Sequence, residues 1–181
     1  MQTPVLPNLP EGIRPATMDD SALLARLATQ TFIESHGHSA PPADIEAYAT
    51  KFYTPEALMA ALTNPANHYY LIYAGQEIAG FSNLVLDTAV PGTDQDAPFA
   101  KLDRIYVLRA FHDQKLGAAL MDFNIQLARA HQQKGLWLYT WVKNERAIRF
   151  YERYGFRVEG HHDFRISPTH TNPNHLMTLR F

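Results

Sequence analysis

The chain has 181 residues, of which 46% are hydrophobic and 19% are charged, and its formal net charge at pH 7 is -2. This length predicts a single domain over residues 1–181, with residues 1–11 as a flexible lead-in. The balanced charge argues against a nucleic-acid partner, which leaves a basic footprint. The lack of cysteine excludes disulfides and thiolate catalysis and fits a cytoplasmic location. We find neither a signal-peptide pattern nor an apolar run of about 18 residues, and so expect no membrane association.

The first half of the chain predicts helices followed by a β-hairpin. Apolar residues recur at helical spacing over residues 23–32, behind a capping-box pattern that begins at Thr17. A second helical region, residues 42–62, is interrupted by a Thr-Pro pair and predicts two short helices. Residues 69–73 and 78–86 are rich in strand formers and flank a Gly-Gln turn, which predicts a hairpin.

The middle of the chain predicts a loop, a strand and a long helix. Residues 88–100 contain prolines, a glycine and polar residues and predict an exposed loop. Residues 102–107 predict a third strand. An apolar stripe over residues 116–130 predicts an amphipathic helix, whose end we expect near Gly135.

The last part of the chain predicts strands on either side of a short helix. Residues 136–142 are nearly all apolar, which predicts a strand buried on both faces. Asn144 has the position of a cap for a helix that Gly155 ends. Two final strands are predicted over residues 156–164 and 176–181, with a polar loop over residues 167–175 between them. Because hairpins alternate with β-α-β crossovers, the fold class is α/β (α+β) with a mixed sheet.

One segment has the features of an anion site. The strand over residues 102–107 runs through a turn into a helix N-terminus, where free N–H groups and the helix dipole favour negative charge. Gly117 allows a ligand to approach the backbone closely, and Lys115 and His112 add positive charge. A pyrophosphate fits this arrangement, but ordinary packing of the helix on the strand explains a single glycine as well. The glycine spacings of a P-loop and of a Rossmann fingerprint are absent.

Two longer patterns resemble the signatures of the GNAT superfamily of N-acetyltransferases. Residues 103–117 are similar to its acetyl-CoA motif, Q/R-x-x-G-x-G/A, and residues 141–156 to its second signature, N-x-x-A-x-x-x-Y-x-x-x-G-F. Within the superfamily the chain most resembles PaiA-type polyamine acetyltransferases, on the tetrapeptide at residues 104–107, the Trp-Leu pair at residues 137–138 and residues 141–156. With residues 13–17, the resemblance covers nearly the whole chain. It implies a GNAT fold, a mostly antiparallel twisted sheet of about seven strands flanked by about four to five helices.

The resemblance implies that acetyl-CoA is the cosubstrate. In the register we favour, His112, Lys115 and Gly117 stand at the Gln/Arg and the two glycines of the motif, and the Lys115 ammonium meets the phosphates. A shifted register uses Gln114, Gly117 and Ala119 instead. The pantetheine then pairs with the strand, the pyrophosphate lies over the turn, and the sulfur lies near the second signature. The residues implied to bind the cosubstrate are Ile105, Tyr106, Val107, His112, Asp113, Gln114, Lys115, Leu116, Gly117, Ala118, Asn144, Ala147 and Tyr151.

The resemblance also implies that an amine attacks the thioester directly, without a covalent enzyme intermediate. A primary amine has a pKa of about 10, so it must lose a proton first, and the departing thiolate must gain one. Tyr151 is the candidate acid, and a backbone N–H of residues 105–107 the candidate oxyanion donor. Asp103, Glu34 and His36 are alternative bases, acting directly or through water. Core packing is the alternative role of Tyr151, and helix capping alone that of Asn144.

The expected acceptor is a small primary amine, with polyamines as the first substrates to test. Acidic side chains around the entrance would attract a polycation: Glu34, Asp44, Glu46, Asp87, Asp94 and Asp96. A protein N-terminal or lysine acetyltransferase is the alternative within the same class. A non-catalytic acetyl-CoA-binding regulatory module is the alternative outside it. We expect a monomer or a homodimer.

The nine histidines raise the question of a metal site. His161 and His162 lie on a predicted strand and therefore point to opposite faces of the sheet, where they share no ion. We expect no metal. The alternate aromatic residues Trp137, Tyr139 and Trp141 share one strand face and are expected to belong to the core.

Overall fold

One seven-stranded sheet organises the computed structural model, which describes residues 6–93 and 98–181. The strands in chain order are β1 (Ile13–Pro15), β2 (Asn67–Ala74), β3 (Glu77–Thr88), β4 (Phe99–Val107), β5 (Gly135–Trp141), β6 (Arg157–Ser167) and β7 (His170–Arg180). Their order across the sheet is β1-β2-β3-β4-β5-β7-β6. Each neighbouring pair is antiparallel except β4 and β5, which are parallel. The predicted mixed, mostly antiparallel α/β architecture is therefore confirmed.

The helices of the described residues cover both faces of this sheet. They are α1 (Ser21–His36), α2 (Pro42–Phe52), α3 (Pro55–Thr63), α4 (Leu116–Ala130) and α5 (Glu145–Arg153). The helices α1 and α3 pack on one face around Leu24, Leu58 and Phe81, and α4 and α5 pack on the other around Phe123 and Tyr151. None of the helices in the described part of the chain is long and apolar enough to cross a membrane. Residues 1–5 of the predicted lead-in lie outside the described residues.

Local signals fix the starts of the first helices. The backbone N–H of Thr17 donates to the Asp20 carboxylate at 2.8 Å, which forms the predicted capping interaction around a 3₁₀ turn (Met18–Asp20) before α1. The hydroxyl of Thr54 accepts from the N–H of Ala57 at 3.1 Å and caps α3. Pro55 is the first residue of α3, where its missing N–H has no helical partner to lose, so the second helical region divides as predicted.

The polar loop predicted over residues 167–175 is wrong, because β6 and β7 form a hairpin there. Their pairing reaches Ser167 and His170, so only two residues make the turn. Pro173 lies inside β7, where its carbonyl accepts from the N–H of Val142 at 3.0 Å. The N–H and C=O of a strand residue point the same way, so its missing donor faces the end of β5 and not the ladder with β6. Gly135, predicted to mark the end of a helix, is instead the first residue of β5.

The contact between β4 and β5 is short. Ala100 pairs with Leu136 and Lys101 with Trp137, and no later residue of β4 pairs with β5. A bulge at Asp103 follows, because the β3 neighbours Asn83 and Leu84 pair with residues 104 and 102. Beyond the bulge β4 pairs with β3, and β5 pairs with β7. The edge of residues 102–107 that faces away from β3 therefore has no strand partner, and we call the gap between β4 and β5 the cleft.

The close approach of β3 to β4 gives a test of this packing. A Cβ added to Gly80 would overlap the carbonyl oxygen of Tyr106 and lie 3.0 Å from the Cα of Val107. Gly80→Ala is expected to lower the free energy of unfolding by about 2 kcal/mol, because the strands must separate. In the control Gly160→Ala, the new Cβ meets only side-chain atoms of Leu176, at 3.4 Å or more. Chemical denaturation measures both variants, and equal stabilities would contradict the predicted overlap.

Candidate active site

The loop between β4 and α4 has two residues in left-handed backbone conformation. The φ angle is 69° at Asp113 and 61° at Lys115, the N-cap of α4. Residues with a Cβ rarely adopt this conformation, which glycine adopts freely. Lys115 therefore has, in spite of its side chain, a backbone conformation that is typical of glycine. Alternation of right- and left-handed residues directs consecutive N–H groups into one concavity, which is an anion-binding arrangement.

The N–H groups of this loop have no hydrogen-bond partners within the described structure. From Asp113 to Ala118 none of them donates to a described residue, whereas the next residue, Ala119, donates to the carbonyl of Lys115 at 3.0 Å. The α4 helix that follows contains 15 residues, and its dipole places partial positive charge at the same point. Unpaired donors at a helix N-terminus suit a phosphate group.

Gly117 leaves open space at the start of α4. A Cβ added there would approach no atom of another element more closely than 4.0 Å, the nearest being on Phe150 and Val107. Neither packing nor a positive φ requires glycine at this position, although glycine destabilises a helix interior by about 1 kcal/mol relative to alanine. Close approach of a ligand to the backbone is the remaining physical reason for this residue.

Arg146 reaches the loop from the first turn of α5. Its Nη1 lies 2.6 Å from Nδ1 of His112, and its Nη2 lies 3.5 Å from Oδ1 of Asp113. Since arginine only donates, Nδ1 of His112 accepts, and its Nε2 carries the proton that it donates to the carbonyl of Val107 at 3.0 Å. Arg146 is a cation of the loop that the sequence interpretation missed, and its place two residues after Asn144 was the available signal.

The helix α5 brings the second group of predicted residues to the same cleft. Asn144 accepts from the N–H of Ala147 at 3.2 Å through Oδ1 and so caps α5. Its Nδ2 donates to no residue that the structure describes, which leaves it available to a ligand. The hydroxyl of Tyr154 donates to the carbonyl of Ala118 at 3.3 Å and fixes α5 to the first turn of α4.

Tyr151 is buried in this helix, with 9% of its surface exposed. Its ring packs against Phe150 and Phe156, with centroids 5.6 and 5.7 Å away. Its hydroxyl forms no hydrogen bond with any described residue. Burial, with a smaller contribution from Tyr106, raises the pKa of Tyr151 well above its usual value. The phenol therefore keeps its proton at neutral pH, as a proton donor must.

Asp103, the bulged residue of β4, is held between two cations. Its Oδ1 lies 2.6 Å from Nζ of Lys101, and its Oδ2 lies 3.5 Å from Nε of Arg104. Burial acts to raise the pKa of Asp103, but these two charges outweigh it, and the net effect is a lowered pKa. The carboxylate is therefore ionised and weakly basic.

The other two candidate bases lie near the end of α1. Both carboxylate oxygens of Glu34 are occupied, by the N–H of Arg109 at 2.8 Å and by Nε2 of Gln30 at 3.2 Å. Glu34 thereby joins α1 to Arg109. Arg109 precedes the residues with unpaired N–H groups, residues 113–118, which we call the anion loop. Burial, and then the field of His38, lower the pKa of His36 to about 4, so its imidazole is neutral at pH 7. The structure thus brings Tyr151, Asn144 and the loop together, but leaves Glu34 engaged elsewhere.

A family comparison gives these features a common explanation. The model of the acetyltransferase (GNAT) family matches residues 24–156. The chain belongs to the GNAT family. It is therefore an N-acetyltransferase, and acetyl-CoA is its cosubstrate, as the sequence resemblance implied.

Individual GNAT relatives and structures agree with this assignment. An N-acetyltransferase of Mycobacterium bovis is 28% identical over 155 residues, or 86% of this chain and 94% of its own. A spermine/spermidine N(1)-acetyltransferase of Bacillus subtilis is 33% identical over 104 residues, or 54% and 66% of the two chains. The PaiA N-acetyltransferase of Thermoplasma acidophilum in complex with coenzyme A matches with a TM-score of 0.75 at 20% identity, over 93% of this chain and 98% of that chain. The predicted GNAT fold is confirmed.

Three of the acidic residues predicted around the entrance of this GNAT enzyme have partners within the protein. Asp44 accepts from the hydroxyl of Ser167 at 2.8 Å, Asp87 accepts from Nε2 of Gln133 at 2.9 Å, and Glu34 is engaged as above. Glu46 is exposed on α2, and Asp94 and Asp96 lie outside the described residues. The attraction of a polycation to this set stays a prediction.

No group of three or more metal-ligating side chains occurs within residues 6–93 and 98–181. The neighbours His161 and His162 have separate partners, since His161 lies 5.3 Å from the ring of His175 and His162 stacks on Tyr139 at 4.4 Å. Trp137 and Trp141 are buried, as expected for a core face.

The left-handed lysine gives a prediction that separates strain from charge. Lys115→Gly is expected to raise the free energy of unfolding by about 1 kcal/mol relative to Lys115→Ala, which retains the left-handed strain. Both variants lose the ammonium, so both are expected to bind acetyl-CoA more weakly, with a smaller dependence on salt than wild type. Denaturation and calorimetric titration with acetyl-CoA measure the two effects. Equal stability of the two variants would show that the backbone at Lys115 is unstrained.

At Gly117 a substitution is expected to raise the stability of the protein but to weaken its binding of acetyl-CoA. Gly117→Ala is expected to stabilise the ligand-free protein by up to about 1 kcal/mol, because alanine favours the helix. Its methyl group occupies the space above the free N–H groups, so acetyl-CoA is expected to bind about tenfold more weakly. Ala130→Gly, at the far end of α4, is the matched control: it should lose stability without a change in affinity. An unchanged affinity in Gly117→Ala would rule out close ligand approach at this residue.

Proposed function

We propose that the protein transfers the acetyl group of acetyl-CoA directly to a primary amine of a small molecule. The observation that carries the proposal is the cleft between β4 and β5, which has the unpaired N–H loop at one end and the protonated Tyr151 beside it. Acetyl-CoA supplies an activated thioester. In this proposal the loop N–H groups, Lys115 and Arg146 hold its pyrophosphate, while the open edge of residues 105–107 and Nδ2 of Asn144 hold its pantetheine.

The proposed chemistry follows from the protonation states of the site. Asp103 and His36 are weak bases and Glu34 is engaged, so the ammonium of the acceptor loses its proton to water. The free amine forms the new C–N bond, and a backbone N–H of residues 105–107 stabilises the charge on the carbonyl oxygen. As the C–S bond breaks, Tyr151 protonates the sulfur and recovers a proton from the nitrogen through solvent. The products are an N-acetylated amine and CoA.

The proposed acceptor enters the site from one end. The β6–β7 hairpin is joined to the α1–α2 connection, because Asn172 donates to Oγ of Ser39 at 2.7 Å and Nε2 of His170 lies 2.6 Å from the Ser39 carbonyl. An internal lysine needs a groove that is open at both sides, and this closure argues against it. A small amine or a chain terminus needs only one opening. Polyamines are the first acceptors to test, because a Bacillus subtilis relative is named for them.

The proposal extends to the domain organisation of the chain and to its location in the cell. We propose that residues 1–181 form one domain, because all seven strands of the described residues join one sheet. A cytoplasmic location is part of the proposal, since acetyl-CoA is an intracellular metabolite. A protein N-terminal acetyltransferase and a non-catalytic acetyl-CoA-binding module are the competing functions.

Release of CoA thiol over a panel of amines tests the function. The panel contains spermidine, spermine, amino acids, aminoglycosides and short peptides, and thermal melting with acetyl-CoA runs in parallel. Amine-dependent release identifies the acceptor class. Stabilisation by acetyl-CoA without release for any amine would favour the regulatory module. The absence of both effects would contradict the proposal itself.

The role of Tyr151 gives a further prediction. Tyr151→Phe removes only the hydroxyl and is expected to lower kcat about 100-fold while leaving acetyl-CoA affinity unchanged, as for the loss of a general acid. Tyr70→Phe is the control, because Tyr70 is a partly buried tyrosine whose pKa burial also raises, but it packs on Phe123 in the core. Steady-state rates and titration with acetyl-CoA measure the effect. Equal loss in both variants would assign a packing role to Tyr151.

A further inference from the structure

Arg104, at the start of the open edge of β4, has one guanidinium nitrogen without a hydrogen-bond partner. Its side chain is 23% exposed as a whole, but its Nη1 is fully buried and has no hydrogen-bond partner. Its Nε lies 3.5 Å from Oδ2 of Asp103, and its Cζ lies 4.9 Å from the ring centroid of Tyr53. Buried polar atoms in native proteins nearly always have a partner, and an unpaired cationic donor is especially unfavourable. A ligand that supplies an acceptor to Nη1 would resolve this state.

The charges around Arg104 point to an anion. The cations of Lys101 and Arg104 share the single carboxylate of Asp103, whose two oxygens each face one of them, so the group has a net charge of +1. Four tyrosines interact electrostatically with this guanidinium and stay uncharged because burial raises their pKa: Tyr48, Tyr53, Tyr69 and Tyr106. The surroundings therefore supply rings and hydroxyls but no second negative charge.

Arg104 also lies at the correct place for an acceptor. It follows the bulge and precedes Ile105, the first residue of the open edge that the acetyl group would reach. Ile105 and Val107 pack on the α4 face, whereas Tyr106 packs in the cluster with α1 and α3, so Arg104 faces the α1–α3 side. Tyr151 lies on the α4 face. A molecule at Arg104 thus approaches the thioester from the side opposite the proton donor.

We propose that the acceptor is an amine that also carries a carboxylate, as an α-amino acid does, and that the guanidinium of Arg104 binds this carboxylate. The proposal rests on the function proposed above and narrows its acceptor class. Arg104 directly precedes Ile105, so a carboxylate held by Arg104 is on the acceptor side of the open edge. The planar guanidinium suits two-point binding of a carboxylate. The tyrosine rings favour an apolar side chain, whereas a polyamine would bring further cations to a cationic group.

Matched acceptors test this inference in the wild-type enzyme. Phenylalanine and leucine are compared with phenylalaninamide, leucinamide and spermidine, with kcat/KM corrected for the fraction of neutral amine. The carboxylates are expected to exceed their amides by about tenfold or more, because the amides leave Arg104 unpaired. Equal or better use of the amides or of spermidine, with turnover retained, would overturn the inference and leave the proposed acetyltransfer intact.

Variants of Arg104 locate the effect. Arg104→Gln is expected to raise KM for the carboxylates about tenfold or more, with unchanged values for the amides and for acetyl-CoA affinity. Arg104→Lys should restore part of the loss, and Arg157→Gln, on the exposed strand β6, should have no effect. An equal loss for carboxylates and amides would overturn the inference. Thermal melting reports on folding, and if Arg104→Gln does not fold, the wild-type comparison decides alone.

If no amine is turned over, the proposed acetyltransfer has failed. A binding experiment then still tests whether Arg104 binds a carboxylate. Calorimetric titration of the CoA-loaded protein with N-acetylphenylalanine and its carboxamide then compares wild type with Arg104→Gln. Tighter binding of the carboxylate that is lost in the variant would support an acid-binding role for Arg104. Equal binding of the two probes, or no binding of either, would overturn it.

Discussion

The function of this protein depends on how little β4 and β5 pair with each other. Two residue pairs join them, and each strand then follows a different antiparallel neighbour. The bulge at Asp103 interrupts the ladder between β3 and β4 at this point, and from residue 104 onward the edge of β4 that faces away from β3 has no strand partner. An unpaired strand edge is unfavourable unless water or a ligand satisfies it. The proposed site is thus a break in the sheet, and in the proposed function an extended molecule with amide groups takes the place of the missing strand.

Strand alternation then divides the chemistry between two faces. Ile105 and Val107 face the helices that carry the anion loop and Tyr151, whereas Tyr106 and its neighbours face α1 and α3. Lys115 and Arg146, the cations proposed to bind phosphate, are thereby separated from the cationic group at Arg104. A cosubstrate with several negative charges and an acceptor with one need not compete for the same residues. The bulge adds to this separation of the two faces, because Asp103 is the extra residue between the two segments of β4 that pair with β3.

Local signals predicted the parts of the structure that local interactions determine. The stripe of α4 lies on one helix of 15 residues, and Asn144 and Tyr151 lie within two helical turns of each other, so each was predicted from residues close in the chain. The β6–β7 hairpin was missed because its prolines suggest a loop, and only the three-dimensional position of Pro173 shows that its missing donor faces the end of β5. Arg146 was missed because its partner His112 is 34 residues away. The lack of a partner for Nη1 of Arg104 likewise depends on residues from several elements.

Several unfavourable features of the ligand-free protein lie along β4 and the loop that follows it. Asp113 and Lys115 are two of the four described non-glycine residues with left-handed φ, six consecutive N–H groups lack partners among the described residues, and Nη1 of Arg104 is buried without a hydrogen bond. Such features persist only where the surrounding structure enforces them, and here the buried core around Phe81, Phe99 and Phe123 does so. Because the groups are already held in position, little ordering opposes ligand binding, and the donors need not reorganise as charge develops in the transition state. Stability and catalysis are therefore linked, since the same fixed groups weaken the empty protein and strengthen its complex.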